Sequence, residues 1–136
     1  MNKNRIVVLL AVVALVLASL ACNASATTAN ITNAHMARDE ADTQPTNVFS
    51  PTDPSFYCFF DLNNAPDDTV VKGTWTLVEA EGYESNSMID EVTYTGGDDS
   101  LYFSLAQGAT EWPVGKYKID LYVNDELVQT LEFEVQ

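Results

Sequence analysis

Basic residues are scarce in this 136-residue chain: six Lys and Arg stand against twenty Asp and Glu, a formal net charge of −14. A surface of that sign repels phosphate backbones, which excludes nucleic-acid binding driven by counterion release. His35 is the sole histidine, and Cys22 and Cys58 are the only cysteines. That is too thin a supply of soft ligands for a structural zinc site. No Ser or Lys motif of a nucleophilic enzyme is present. His35, between Ala34 and Met36, reads as a surface or edge residue of a strand, far from forming a Cys–His pair with an inward Cys58. No catalytic residue, no cofactor and no enzymatic activity are expected. The length allows one domain.

Long apolar runs are also missing, with one exception at the start. Met1–Arg5 is short and basic, Ile6–Leu17 is an unbroken run of twelve apolar residues, and Ala18-Ser19-Leu20-Ala21-Cys22 follows, with the small Ala21 before the cysteine. As a helix the run spans about 18 Å, short of a ~30 Å hydrocarbon core. A basic head, an apolar middle and small residues before a cleavage point make residues 1–21 a secretory signal, the alternative being an uncleaved anchor helix. Either way the rest of the chain is exported. Lys3 and Arg5 leave with the signal, so the remainder carries four basic and twenty acidic residues, a net charge of −16.

Ser19-Leu20-Ala21-Cys22, directly after the apolar run, resembles the lipobox of bacterial lipoproteins. The resemblance implies cleavage before Cys22, a thioether-linked diacylglycerol on its sulfur, and a membrane as partner through that anchor. Two or three acyl chains hold far more firmly than one, at ~0.8 kcal/mol per buried methylene. Cleavage elsewhere and a Cys22–Cys58 disulfide is the alternative. Asn23–Asn30 is small and polar with no apolar period, so residues 22–30 read as a lipidated cysteine and flexible tether.

Residues 31–136 read differently. Sustained helical periodicity is absent, and short alternating segments are separated by turn chemistry, the pattern of an all-β domain. Strands are expected at 31–37, 55–62, 70–78, 88–95, 101–105, 116–123 and 127–135, with an eighth short one at 47–50. Gly96-Gly97-Asp98-Asp99 reads as a hairpin between the fourth and fifth main strands, and Asn124-Asp125-Glu126 as another near the end. Val71, Trp75 and Leu77 share one parity, as do Tyr117, Ile119, Leu121 and Val123.

Cys58 in the middle of its strand, Trp75 in the next, and Tyr117 opening a later one together resemble the immunoglobulin fold. The resemblance implies an antiparallel sandwich of about seven strands with Cys58, Trp75, Tyr117 and Ile119 marking the core. Ile119 stands where the second cysteine of that fold belongs, so Cys58 has no partner inside the domain and behaves as a small buried hydrophobe. The chain is also similar to single Ig-like modules of bacterial surface proteins, which bind or space things.

Two chemistries remain to be placed. Asp61, Asn63, Asp67 and Asp68 gather oxygen side chains near one loop and are weak calcium candidates, although the spacing lacks the Gly and terminal Glu of an EF-hand. Asx-rich turns of a sandwich use the same residues for hydrogen bonds. With Phe56, Cys58 and Phe60 inward, Tyr57 and Phe59 face out, and Tyr102 joins them if Leu101 and Phe103 face in. Trp112 adds an edge from a crossing loop. Such an aromatic surface suits sugar rings or a protein partner. Alternatively the segment 38–54, with Val48 and Phe49, lies across it and covers it. The expected role is a non-catalytic binding or structural module at the cell envelope, the alternatives being a carbohydrate-binding module and a non-binding accessory domain of an envelope complex.

Overall fold

The computed structural model describes residues 28–136. The signal segment, the lipobox with Cys22 and most of the tether lie outside the described residues. Among the described residues there are eight strands and no helix: β1 Asn30–Ala37, β2 Val48–Phe49, β3 Ser55–Asn63, β4 Val70–Ala80, β5 Ser87–Thr95, β6 Asp99–Ala106, β7 Gly115–Val123 and β8 Glu126–Val135. They form a three-stranded sheet in the order β1-β3-β6 and a five-stranded sheet in the order β2-β8-β7-β4-β5. Every pairing is antiparallel except β2 with β8, which is parallel.

Period-two alternation builds the core. On β3 the buried residues are Phe56, Cys58, Phe60 and Leu62; on β7 the buried apolar ones are Tyr117, Ile119, Leu121 and Val123, with Asp120 buried out of step among them. Trp75 on β4 is buried opposite Ile119 of β7, where a second cysteine would otherwise sit. Phe133 of β8 meets Tyr117 in a stack at 5.5 Å and Trp75 edge-on at 6.0 Å. The Cys58 thiol is free, and burial pushes its pKa up to about 12, so it packs as a hydrophobe. All four expected core markers are thus buried. Tyr117 also donates its hydroxyl to the Pro113 carbonyl at 2.6 Å, the corner that this fold builds at the start of the corresponding strand.

Two expectations change. Residues 28–30 of the expected tether belong to the domain, because Ala29 is buried in the core and Thr28 donates to the Asn64 carbonyl at 2.8 Å. Gly96–Asp99 does not close a hairpin: β5 pairs with β4 in one sheet and β6 with β3 in the other, so this link crosses between sheets. It is held by the 65–69 loop, with Gly96 N donating to Thr69 O at 3.0 Å and Ala65 N to the Asp98 carboxylate at 2.7 Å. On the other sheet, Tyr122 of β7 carries Lys72 Nζ 4.7 Å from its ring centre. The last hairpin does form. Asn124 and Asp125 have φ of 48° and 67°, a two-residue turn whose backbone twist suits paired strands.

Candidate functional site

The outer face of the three-stranded sheet is where the aromatic residues gather. Tyr57, Phe59 and Asp61 follow one another on the outward parity of β3, between buried neighbours. Phe59 is paired with His35 of β1 on one side and Tyr102 of β6 on the other. The rings touch: Phe59 stacks on His35 at 5.6 Å, meets Tyr102 at 5.4 Å and Tyr57 at 6.4 Å, and Tyr57 meets Tyr102 at 5.7 Å. The three aromatic residues read from strand parity therefore form one cluster, and His35 extends it as a fourth ring.

A β-bulge aims His35. Between the pairs Thr32–Asp61 and His35–Phe59, two residues of β1, Asn33 and Ala34, stand opposite the single Phe60 of β3, and Asn33 takes φ of 53°. Asn tolerates that left-handed conformation better than most residues. The bulge turns the Asn33 carbonyl onto His35 Nδ1 at 2.7 Å and its side-chain amide onto Asp61 at 2.7 Å. Ser100 of β6 donates to the other Asp61 oxygen at 2.7 Å. These two hydrogen bonds, with the His35 charge nearby, hold the Asp61 carboxyl below its ordinary pKa.

The segment after β1 reaches back over this face. Asp39 accepts from Thr43 N at 3.0 Å and Gln44 N at 2.9 Å, and Arg38 N donates to Gln44 O at 3.1 Å, so 39–44 is a tight turn. Its tip is tied at both sides of Phe59. Glu40 accepts from the Tyr102 hydroxyl, which raises that phenol's pKa, while both Asp42 oxygens accept from His35 Nε2 at 2.8 and 2.9 Å. The covering expected of residues 38–54 is confined to this tip. Val48 and Phe49 go to the other sheet instead, where Phe49 is buried against Phe56 and Phe133. Between tip and sheet lies a groove of about 500 Å³, lined by His35, Glu40, Asp42, Phe59, Asp61 and Tyr102 among others.

His35 has acceptors at both ring nitrogens, a carbonyl and a carboxylate, and only the doubly protonated ring can donate to both. Desolvation is the largest single influence and pulls its pKa down. The Asn33 carbonyl and the Asp42 and Asp61 carboxylates together outweigh it, so the pKa is raised. His35 faces outward and Cys58 inward, so they lie on opposite faces of the sheet and do not meet.

Trp112 does not belong to this surface. It is buried, donates its indole N–H to the Asp53 carbonyl at 2.7 Å and stacks on Phe56 at 4.3 Å, so it is a core residue that closes the end of the sandwich. The four calcium candidates also separate. Asp61 is engaged by Asn33 and Ser100, Asn63 donates to Thr32 at 2.8 Å, and Asp67 and Asp68 lie exposed in the following loop. Among the described residues no group of three or more His, Cys, Asp or Glu is arranged to hold a metal ion. Sequence reasoning missed Glu40, Asp42 and Asn33, which only the bulge and the returning turn bring to the aromatic cluster.

No family profile and no curated protein matches the sequence. Solved structures do share the fold. An immunoglobulin-like protein from Pseudomonas aeruginosa superposes with a TM-score of 0.53 at 15% identity, over 83% of this chain and 99% of that one. An alkylpurine DNA glycosylase from Pseudomonas fluorescens, bound to DNA containing an abasic-site analogue, superposes with a TM-score of 0.52 at 17% identity. There the match covers 79% of this chain and only 30% of the glycosylase. At such identities the likeness establishes the fold alone: this is an Ig-like β-sandwich.

Proposed function

We propose that this chain is an exported lipoprotein whose Ig-like domain is a non-catalytic binding module at the cell envelope. Cys22 carries the lipid, residues after it form the tether, and the outer face of the three-stranded sheet meets a neutral or cationic partner. The observation that carries the reading is the cluster of Tyr57, Phe59 and Tyr102 on an outward face, with Tyr102 41% exposed. Aromatic side chains held by cross-strand neighbours make a rigid platform that gains contact area with little loss of entropy. The placement of Cys22 directly after the apolar run supports the anchor.

Two measurements test the two halves. Intact mass of the membrane-extracted protein is expected to show a chain beginning at Cys22 with acyl groups attached, and a Cys22→Ser variant is expected to lose them. A chain that begins elsewhere and carries no lipid overturns the anchor. For the surface, Tyr57→Ala with Tyr102→Ala is expected to weaken binding to isolated envelope by about tenfold or more, since aromatic anchors carry most of such an interface. Tyr122→Ala on the other sheet is the control. Equal loss from both variants would remove the binding face.

A further inference from the structure

The groove over Phe59 is rich in acceptors, and each of its side-chain donor groups already makes a bond within the protein. His35 gives one N–H to the Asn33 carbonyl and the other to Asp42; the Tyr102 hydroxyl goes to Glu40; Asn33 and Ser100 both donate to Asp61. Each of those donors is turned onto a protein acceptor. Glu40, Asp42 and Asp61 keep lone pairs beyond the bonds they receive, because an ionised carboxylate accepts about four hydrogen bonds. Beside them are the faces of Phe59 and Tyr102, whose ring quadrupoles are negative.

One cation of the chain, the His35 imidazolium, lines this groove with both N–H groups spent on Asn33 and Asp42, and the three carboxylates outnumber it; the other cations stand clear. Arg38 is tied to the Val48 carbonyl at 2.7 Å and to Asp53 at 3.4 Å. Lys72, Lys116 and Lys118 are on β4 and β7 of the opposite sheet. A sugar needs donors as well as acceptors from its site, and an anion is repelled. The combination of aromatic faces, carboxylates and engaged donors is complementary to a positive charge on an apolar body. The volume suits a head group and is too small for a folded partner.

From this complementarity we infer that the groove binds a small organic cation of the alkylammonium class, seated against Phe59 and Tyr102 with Glu40, Asp42 and Asp61 around it. The inference rests on the reading of this sheet as the binding face and names what that face takes. A quaternary ammonium head fits the chemistry best, because it needs no acceptor of its own and gains most from ring faces.

The test titrates the full chain, in non-ionic detergent, with choline, with its uncharged tert-butyl isostere and with a neutral oligosaccharide, following the ring resonances of Phe59 and Tyr102. Choline is expected to bind saturably and about tenfold or more tighter than the isostere. Phe59→Leu and Glu40→Gln are each expected to weaken it several-fold; Glu40→Gln is exposed and keeps an acceptor for Tyr102, so it tests the charge even if Phe59→Leu disturbs the sheet. Glu134→Gln, on β8, is expected to leave binding unchanged. Equal affinity for choline and the isostere, an equal loss in Glu134→Gln, or no saturation overturns the inference. If the oligosaccharide alone moves these rings, the cation is wrong and the binding face stands. If Tyr57→Ala with Tyr102→Ala leaves every interaction intact, both fall.

Discussion

His35 is the residue on which the aromatic face and the returning turn depend together. Its ring stacks on Phe59 while its two nitrogens hold Asn33 and Asp42. Because its folded pKa is raised, the imidazolium favours the closed turn fully below the unfolded value near 6.5, and that contribution is lost as pH rises through the higher folded value. The Asp39 carboxyl works in the opposite direction. Its pKa is lowered, chiefly by the hydrogen bond from the Thr43 hydroxyl, so its support is present above the ordinary carboxylate range and lost as pH falls through the lowered value. The protection of amides 39–44, taken relative to the base-catalysed intrinsic exchange rate, is therefore expected to be greatest between the two titrations and to fall on the alkaline side, a fall that His35→Gln removes. A flat profile through the His35 titration would show that the Asp42 pair does not secure the turn. None of this was legible in the sequence, where His35 could be placed only as an edge residue of a strand. The left-handed Asn33 that aims it leaves no periodic signal, and the Glu40–Tyr102 bond joins residues far apart in the chain. Trp112 misled for a related reason: a Trp beside Glu111 and Pro113 in a loop looks exposed until Phe56 and the Asp53 carbonyl are seen to enclose it.

Strands were legible because each has one wet and one dry side, and the alternation of β3, β7 and the end of β8 states which is which. Even β2, two residues long, showed through Val48 and Phe49. What alternation does not encode is which sheet a strand joins, and so the β5–β6 link read as a hairpin when it is a crossing. Contact between the sheets has its own requirement at Gly73, whose missing Cβ makes room for Phe103: a Cβ built there would lie 2.6 Å from the Phe103 ring. Gly73→Ala is expected to cost about 1–3 kcal/mol, the usual range for an overpacked core. Urea unfolding checks it, and adding Phe103→Leu to Gly73→Ala should recover part of the loss because the two residues share one space. Strictly additive losses would mean that the ring has room to move and that Gly73 serves β4 in some other way.

Charge is distributed over the molecule in a way that no single strand reveals. The lysines of the described domain all lie on β4 and β7, where Lys118 pairs with Asp120 at 3.2 Å and Lys116 approaches Glu79 at 4.0 Å. The opposite sheet presents aromatic rings and carboxylates, with Arg38 engaged beside it. The described domain, with four basic residues against twenty acidic ones, repels itself most when folded, because folding brings the carboxylates closer together. Salt screens that repulsion: the Debye length falls from about 30 Å at 0.01 M to about 3 Å at 1 M. The melting temperature is thus expected to rise with sodium chloride, by about 4–8 °C for each kcal/mol of repulsion relieved in a domain near this size. The exposed Lys116–Glu79 contact weakens in the same salt but contributes at most about 1 kcal/mol, while Lys118–Asp120, buried at its carboxylate, is screened much less, so neither reverses the trend. A melting temperature that falls with salt would show that local pairing, and not the net charge, governs the stability of this sandwich.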